Sequence, residues 1–438
     1  MFDPIMNFPV TSPAAAAQTF IRQLRKPAKI LVMVSGGSDS LGLLLALIKA
    51  AHASANDDVA LSAVTIDHQL RPEAAEEARQ VGEICRRFGV KHVIRRWDEV
   101  KPNSGISQAS RLARYRLVAA VAEELGTTVI VTGHTLDDQL ETVLMRAARS
   151  TRTENTGLSG MAKRTLYAGR HWLFRPFLSV RRADIREFLG NEQLGWVDDP
   201  SNEDRKYERV RTRQGLEQLS AASVDRNAGE KRKAISHAAA GLLKDHAQGE
   251  GSGVIWLHNE AFDQKLDVWR PALAAVAAVI GGRQHLPAAD SMDRLSAFIL
   301  QNRLGRMTVS RTVFDRRRDG LYLYRENRNL PSLKIVPGET VLWDERFMLH
   351  NPSAEPVDVS ANGGKNTELA SVIFPNVPVG VAKRAFSSMP DIFDAGRTAI
   401  LTRSVLMPYE LFLPDFDLEL AGEIAILLDC APVLQPPV

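Results

Sequence analysis

The run Ile30-Leu31-Val32-Met33-Val34-Ser35-Gly36-Gly37-Ser38-Asp39-Ser40 constrains this chain more than any other segment. A short, continuous apolar stretch rich in Val and Ile reads as a strand buried on both faces. It breaks into glycines, hydroxyls and one acid, and then opens a Leu-rich helix over Leu41–Leu47. A strand–loop–helix of this kind aims backbone N–H groups and a helix N-terminus at one spot, which suits phosphate. The loop has no lysine, so it is not the lysine-bearing P-loop of kinases and GTPases. A nucleotide here would be held by backbone and hydroxyl donors.

From Ala28 to about Ser150 the pattern alternates between strand and helix. Strands are predicted over Ile30–Val34, Val59–Ile66, Val90–Arg95 and Thr127–Thr132, and helices over Asp39–Ala53, Pro72–Phe88, Ser107–Leu125 and Leu136–Arg149. Pro72 and the acids Glu73, Glu76 and Glu77 suit the start of the second helix. This rhythm predicts an α/β fold with a parallel, doubly wound sheet and ligands at the carboxyl ends of its strands. Between Thr151 and about Arg213 the pattern turns irregular. Helical patterning then dominates to about Leu300, and after Leu304 strand-like alternation returns at Met307–Ser310, Leu321–Tyr324 and Glu339–Trp343. The expected organisation is a catalytic domain over 1–215, a mainly helical domain over 216–330 and a small mixed α/β domain over 331–438.

At 438 residues the chain exceeds one ordinary core, and two or three domains are expected. A net charge of +3 does not by itself announce nucleic acid, so basic residues must be clustered to matter. The two cysteines, Cys85 and Cys430, cannot form a CxxC pair or a four-ligand zinc site. No signal-peptide pattern precedes Phe20, and the longest apolar run, Pro271–Gly282, is too short to span a bilayer. A cytoplasmic protein without membrane contact is expected.

Four groups carry chemistry. Gly133-His134-Thr135-Leu136-Asp137-Asp138-Gln139-Leu140-Glu141-Thr142 follows an apolar strand and opens a helix, so Asp138 and Glu141, or Asp137 and Glu141, can share a face. Acids decorating a helix N-terminus are the plain account, since the macrodipole favours them. Beside a triphosphate, however, unneutralised acids repel, and they make sense if they bind Mg²⁺ or a cationic amine. His134 suits a phosphate donor or a proton shuttle. Asp67-His68-Gln69-Leu70-Arg71 is read first as a turn with a cap. On the third helix Arg111 and Arg114 face the same way, as surface ion pairs or as fixed charge for a nucleotide or RNA. Finally, Trp196-Val197-Asp198-Asp199-Pro200-Ser201-Asn202 leads into Arg205, Lys206, Tyr207, Arg209, Arg211 and Arg213, a basic segment with an interleaved aromatic that suits single-stranded RNA. The Arg-rich stretches 311–318 and 325–328 are a second basic candidate.

Taken together these residues resemble a family. SGGSDS is similar to the loop of the PP-loop ATP pyrophosphatases, which split ATP between the α and β phosphates. The ordered set SGGSDS, DHQLR, QASRLARY, GHTLDDQLET, GLSGM, RPFL and WVDDPSN looks like the bacterial tRNA(Ile)-lysidine synthetases, over residues 28–215. The resemblance implies a ligase acting on the CAU-anticodon tRNA(Ile) with ATP and Mg²⁺. ATP adenylates the 2-oxo group of the wobble cytidine with release of pyrophosphate; the ε-amine of free L-lysine then displaces AMP to give lysidine. It further implies that Ser35, Gly36, Gly37, Ser38 and Ser40 cradle the pyrophosphate, with Asp39 an Mg²⁺-linked or loop-ordering acid. His134 and Asp137 would lie near ATP, and Asp138 and Glu141 would hold the substrate lysine. Arg111 and Arg114 would stabilise charge at the α phosphate. Arg205, Lys206, Arg209 and Arg213 are the tRNA candidates, and a homodimer is carried as a further expectation.

Two positions depart from the family pattern. Leu112 stands where a Glu is usual between the two arginines, and Val210 where an Asn often follows the first Arg of an RNxxR element. Rival expectations are a tRNA thiolase of the same superfamily, which would need cysteine pairs, and a non-catalytic RNA-binding relative, which would not keep Asp39, His134, Asp138 and Glu141 together.

Overall fold

The structure is a computed structural model that describes residues 10–53, 58–148, 156–197, 227–364, 368–392 and 400–438. The chain gathers into two compact units, Met1–Arg232 with Gln435–Val438, and Lys233–Leu434. No helix among the described residues is long and apolar enough to cross a membrane.

The first unit is built on a mostly parallel sheet. Its elements run α1 (Pro13–Gln23), β1 (Ala28–Met33), α2 (Ser38–Ala53), β2 (Val59–Asp67), α3 (Ala74–Arg87), β3 (Lys91–Arg96), α4 (Ile106–Leu125), β4 (Val129–Val131), α5 (Leu136–Ala148), β5 (Arg164–Tyr167), β6 (His171–Phe174) and α6 (Arg182–Asn191). The strands of this unit lie in the order β5-β6-β4-β1-β2-β3. β3, β2, β1, β4 and β6 are parallel and β5 is antiparallel to β6. Each predicted strand and helix between residues 28 and 149 is present, with ends shifted by a residue or two. Ile30, Leu31 and Val32 are fully buried, as a central strand covered on both faces requires. α2 is buried nearly all round, through Leu41, Leu43, Leu44, Leu45, Leu47 and Ile48.

Because the chain steps outward from β1 to β2 and β3 and then returns to place β4 on the other side of β1, the switch point lies between β1 and β4. Ligands of open α/β sheets bind at that crevice, beyond the carboxyl ends of the strands. The loop after β1 holds Ser35–Ser38, and the loop after β4 holds Gly133 and His134. The topology therefore brings together the two motifs that carry most of the chemistry.

One stretch expected to be irregular is ordered. Residues 164–174 form a hairpin and residues 182–191 form α6. Each hairpin strand has only four residues, too few for alternation to show, and the turn uses Ala168 and Gly169, both with positive φ. α6 buries only Ile185 and Leu189, four apart, so its apolar stripe is equally faint. It packs on α2 at Gly42, where a Cβ would come within 2.3 Å of Ile185 Cγ2. Glycine at this position is a requirement of close helix approach.

The second unit carries antiparallel sheets. β7 (Ala247–Glu250), β8 (Val254–Leu257), β9 (Gly305–Val309), β10 (Thr312–Arg317) and β11 (Gly320–Arg325) lie in the order β7-β8-β11-β10-β9. Smaller sheets follow, β12 (Leu333–Ile335) with β15 (Val357–Val359), and β13 (Thr340–Trp343) with β14 (Phe347–His350) and β16 (Leu401–Ser404). The region up to residue 300 is helical over Ala228–His246, Leu266–Ile280 and Ala289–Leu300, but the β7–β8 hairpin interrupts it. Tyr322, Tyr324, Trp343, Phe347, Phe374 and Phe386 form the aromatic part of its core.

Part of the arginine-rich sequence offered as a second basic candidate is interior in this unit. Arg325 is fully buried and Arg316 nearly so. Arg325 Nε donates to Asp344 Oδ2 at 3.1 Å, Arg346 Nε donates to the same oxygen at 2.6 Å, and Arg311 pairs with Asp344 Oδ1. Burial draws the Arg346 guanidinium down to about 10 against the pull of Asp344. One carboxylate thus offsets three cations, and removing one partner of a buried pair costs about 3–5 kcal/mol. Asp344→Asn is expected to lower the stability of this unit by roughly that amount, read as a shift in the urea midpoint. A change near zero would mean that the three guanidiniums are satisfied elsewhere.

Candidate functional site

The loop after β1 is set by its own small side chains. Gly36 takes φ +86°, a left-handed turn that disfavours any Cβ. Ser40 Oγ accepts the Ser35 N–H at 3.1 Å and donates to Gly37 O at 3.1 Å, while the Ser35 and Ser40 hydroxyls lie 3.2 Å apart. Ser38 opens α2, whose first-turn N–H groups lack helical partners and face the loop. The opposite loop closes on this one at Gly133, where a Cβ would stand 2.9 Å from the Asp39 carbonyl. Val197, from the WVDDPSN motif, donates its N–H to Gly36 O at 3.0 Å and so seals the loop from another side.

The acids of α5 are partly a helix cap. Thr135 and Asp138 cap reciprocally: Asp138 Oδ2 accepts the Thr135 N–H and Oγ1–H at 2.8 and 2.9 Å, and Asp138 N–H approaches Thr135 Oγ1 at 3.3 Å. His134 Nδ1 lies 2.7 Å from Thr132 Oγ1, which fixes the ring. One further motif braces this helix: Gln139 exchanges hydrogen bonds with Met161 of the GLSGM segment. Arg175 of RPFL donates instead to Ala162 O and Thr165 Oγ1, at the entry to the neighbouring hairpin.

The residue that ties the site together was missed by sequence reasoning. Arg182, the first residue of α6, donates from Nε to Asp39 Oδ2 at 2.9 Å and from Nη2 to Asp138 Oδ1 at 3.2 Å. Its Nη1 lies 4.0 Å from Glu141 Oε1, and its backbone N–H donates to Asp137 Oδ2 at 2.8 Å. Four expected site acids thus meet at one arginine. Glu141 is only 2% exposed, and a carboxylate so deeply buried is placed at low cost only beside polar or charged partners. Burial pushes the Asp39 carboxyl above the usual carboxylate range; Arg182 works against that shift, and Asp138 and Asp137 add to it. Burial also opposes ionisation of Asp138, but Arg182, His134 and the Thr135 hydrogen bonds outweigh it and hold this carboxyl below its ordinary value. Desolvation weakens the charge on Arg182, yet Asp39 and Asp138 more than offset it, and the guanidinium stays protonated.

Arg111 and Arg114 occupy the neighbouring part of the same sheet edge. Arg114 Nε lies 3.4 Å from Nε2 of His68, just past the end of β2, and the Arg111 guanidinium lies over Tyr115, 5.1 Å from its centroid. Asp67 accepts the Gln69 N–H at 2.8 Å, the turn expected for that tripeptide. Leu112, the departure from the family pattern, is 38% exposed beside them. Arg205, Lys206, Arg209, Val210 and Arg213 lie outside the described residues. Cys85 and Cys430 are both unpaired cysteines, and burial pushes each thiol up to about 11, so both are protonated near neutral pH. Among the described residues no cluster of three His, Cys, Asp or Glu is arranged to hold a metal ion.

His68 provides a pH test of this edge. Burial and the charge of Arg114 bring its imidazole down to about 4 from 6.5, with Asp67 opposing them. Between those values the unfolded chain binds a proton that the folded one does not, so this contribution to stability is complete above 6.5 and is lost as pH falls toward 4. The urea midpoint is expected to drop between pH 7 and pH 5 and to drop less in His68→Asn. Equal drops in both proteins would remove His68 as the cause.

Residues 11–219 match a family model described as a PP-loop domain. The chain is 40% identical over 437 residues to a tRNA(Ile)-lysidine synthase of Rhizobium meliloti, covering 96% of each chain. It is 37% identical over 389 residues to the enzyme of the same name from Brucella anthropi, covering 84% of each. The one from Mesorhizobium japonicum is 35% identical over 429 residues, covering 92% of this chain and 93% of its own.

Proposed function

This chain belongs to the tRNA(Ile)-lysidine synthase family, and from that premise we propose how its residues divide the work of an ATP-dependent ligase that joins lysine to tRNA(Ile). The carrying observation is that the phosphate loop after β1 and the acids of α5 meet at one crevice, linked by Arg182.

The reaction has two steps. The 2-oxo oxygen of the wobble cytidine attacks the α phosphorus of ATP, the bond to the β phosphate breaks and pyrophosphate leaves. The lysine ε-amine then attacks C2, AMP leaves with the oxygen, and the amine gives up its proton. Ser35, Gly36, Gly37, Ser38 and Ser40 supply the donors for the departing pyrophosphate. The left-handed turn at Gly36 and the first turn of α2 suit that charge without a lysine. Arg111 and Arg114 are assigned to charge on the α phosphate, and His134, fixed by Thr132, to the same phosphates. Asp137, which also holds the Arg182 backbone, is assigned to the ATP side of the crevice.

Asp138 and Glu141 are assigned to the substrate lysine. A carboxylate pair attracts an amine that arrives charged, and a base near it can take the proton that the amine must lose. Mg²⁺ fits this donor set as an ion carried in with the triphosphate: such ions use one or two carboxylates and keep phosphate and water ligands, and Asp39 offers the carboxylate. When bound it would offset phosphate charge. For the tRNA, Arg205, Lys206, Arg209 and Arg213 remain the proposed contacts, with 216–330 and 331–438 as further contact regions in a cytoplasmic enzyme. The thiolase alternative needs a cysteine pair, and Cys85 and Cys430 are both free.

Labelled lysine is expected to enter the CAU-anticodon tRNA(Ile) only with ATP, with one AMP formed per lysine, and to stay out of tRNA(Met). ATP-dependent sulfur transfer without lysine incorporation would replace this reading. Asp138→Asn keeps an oxygen for the Thr135 cap, and Glu141→Gln keeps the side-chain shape; each is expected to raise the KM for lysine by about tenfold or more, as loss of a charge-assisted contact does. The KM for ATP should change little. Equal losses for both substrates would assign these acids to the nucleotide.

A further inference from the structure

Three nitrogens of one guanidinium face three carboxylates that the reaction needs for two different ligands. Asp39 stands at the phosphate loop, and Asp138 and Glu141 are the acids assigned to lysine. Arg182 therefore sits where the ε-ammonium of the substrate would bind, and it also touches the acid nearest the phosphates. We propose that Arg182 is an internal cation that withholds Asp138 and Glu141 from free lysine until the nucleotide is bound, so that it orders the two substrates. The proposal rests on the assignment of Asp138 and Glu141 to lysine.

The physical basis is an exchange of partners. A guanidinium binds phosphate and carboxylate with the same fork geometry. A triphosphate placed at the loop brings several negative charges next to Asp39, and the Arg182 head gains more by turning toward them than by staying among the acids. Its helix need not move, because Ile185 is locked against Gly42 and the backbone N–H is held by Asp137. Only the flexible side chain swings. Once it turns, Asp138 and the buried Glu141 lose the Arg182 guanidinium and favour an ammonium in its place. The two sites are then coupled by one residue, and the coupling works equally in both directions. A static brace, which simply neutralises the acids to hold α6 in place, predicts no such dependence.

Equilibrium dialysis of radiolabelled lysine against the full chain, with and without α,β-methylene-ATP and Mg²⁺, tests the idea. The wild-type protein is expected to bind lysine about tenfold or more tightly with the analogue, within the usual range for coupled sites. Arg182→Gln should bind lysine in the absence of the analogue more tightly than wild type does, and the analogue should then add little. Arg182→Lys, which keeps a point charge in place of the fork, should retain a reduced dependence, and it decides the matter if the glutamine variant does not fold. Wild-type lysine affinity that ignores the analogue would overturn the proposal, and so would full nucleotide dependence in the folded Arg182 variants. Unchanged lysine binding by Asp138→Asn would instead overturn the assignment of the lysine site itself, and that result is separable because it does not involve the nucleotide.

Discussion

The first unit depends on a balance between one guanidinium and four carboxylates at the switch point of its sheet. Two unit charges about 4 Å apart interact by roughly 4 kcal/mol at an effective dielectric near 20. Several uncompensated acids in a half-buried crevice would therefore consume much of the 5–15 kcal/mol that keeps a typical domain folded. Arg182 makes the cluster tolerable, and it can do so only because α6 delivers it there. That delivery depends on a missing methyl group: Gly42 lets Ile185 approach α2, and the first residue of α6 then faces Asp39. A glycine in the first turns of α2 thus fixes the electrostatics of the loop that leads into that helix.

What sequence reasoning could reach follows from the length and periodicity of the elements. β1, β2, β3 and α2 to α5 are long or strongly patterned, and they were placed within a residue or two. Asp39, Asp138 and Glu141 were recognisable because they stand where a strand ends and a helix begins. The hairpin 164–174 was not legible, since four-residue strands give too few alternations. Arg182 was hidden for a different reason. It lies in Arg181-Arg182-Ala183-Asp184, which reads as an ordinary surface turn of a helix, and its carboxylate partners are 143 and 44 residues away. The signal lies in the acids themselves, since carboxylates gathered in a crevice need a cation and the chain can supply one as readily as a ligand can. In the second unit, Arg316 and Arg325 belong to the stretches offered as a second basic candidate, but both are interior, Arg325 against Asp344.

The motifs shared with the family also divide by their work. SGGSDS and GHTLDDQLET supply groups to the crevice, whereas GLSGM braces α5 through Gln139 and RPFL braces the adjacent hairpin. Met161 clasps Gln139 through both its backbone N–H and carbonyl, and Gly160 lies against the same side chain with φ +69°. The Arg175 guanidinium is spent on carbonyl and hydroxyl groups of the hairpin. Such contacts explain why an ordered series of motifs is more informative than the phosphate loop alone. The loop specifies a class of phosphate chemistry, and the braces specify where the acids sit relative to it.

The identity of the internal cation follows from geometry as well as charge. A lysine at 182 would present one compact ammonium, able to sit with one or two acids and chemically identical to the group the enzyme must recognise. Arginine presents a rigid fork whose Nε, Nη2 and Nη1 each turn to a different carboxylate, Asp39, Asp138 and Glu141. The fork can therefore bridge Asp39 beside the loop and the α5 acids Asp138 and Glu141 at once, which a point charge cannot. It also cannot be deprotonated at any working pH, so it cannot itself serve as the nucleophilic amine. The residue that neutralises this site is thus a cation that resembles the substrate in charge and differs from it in the reactivity the second step requires.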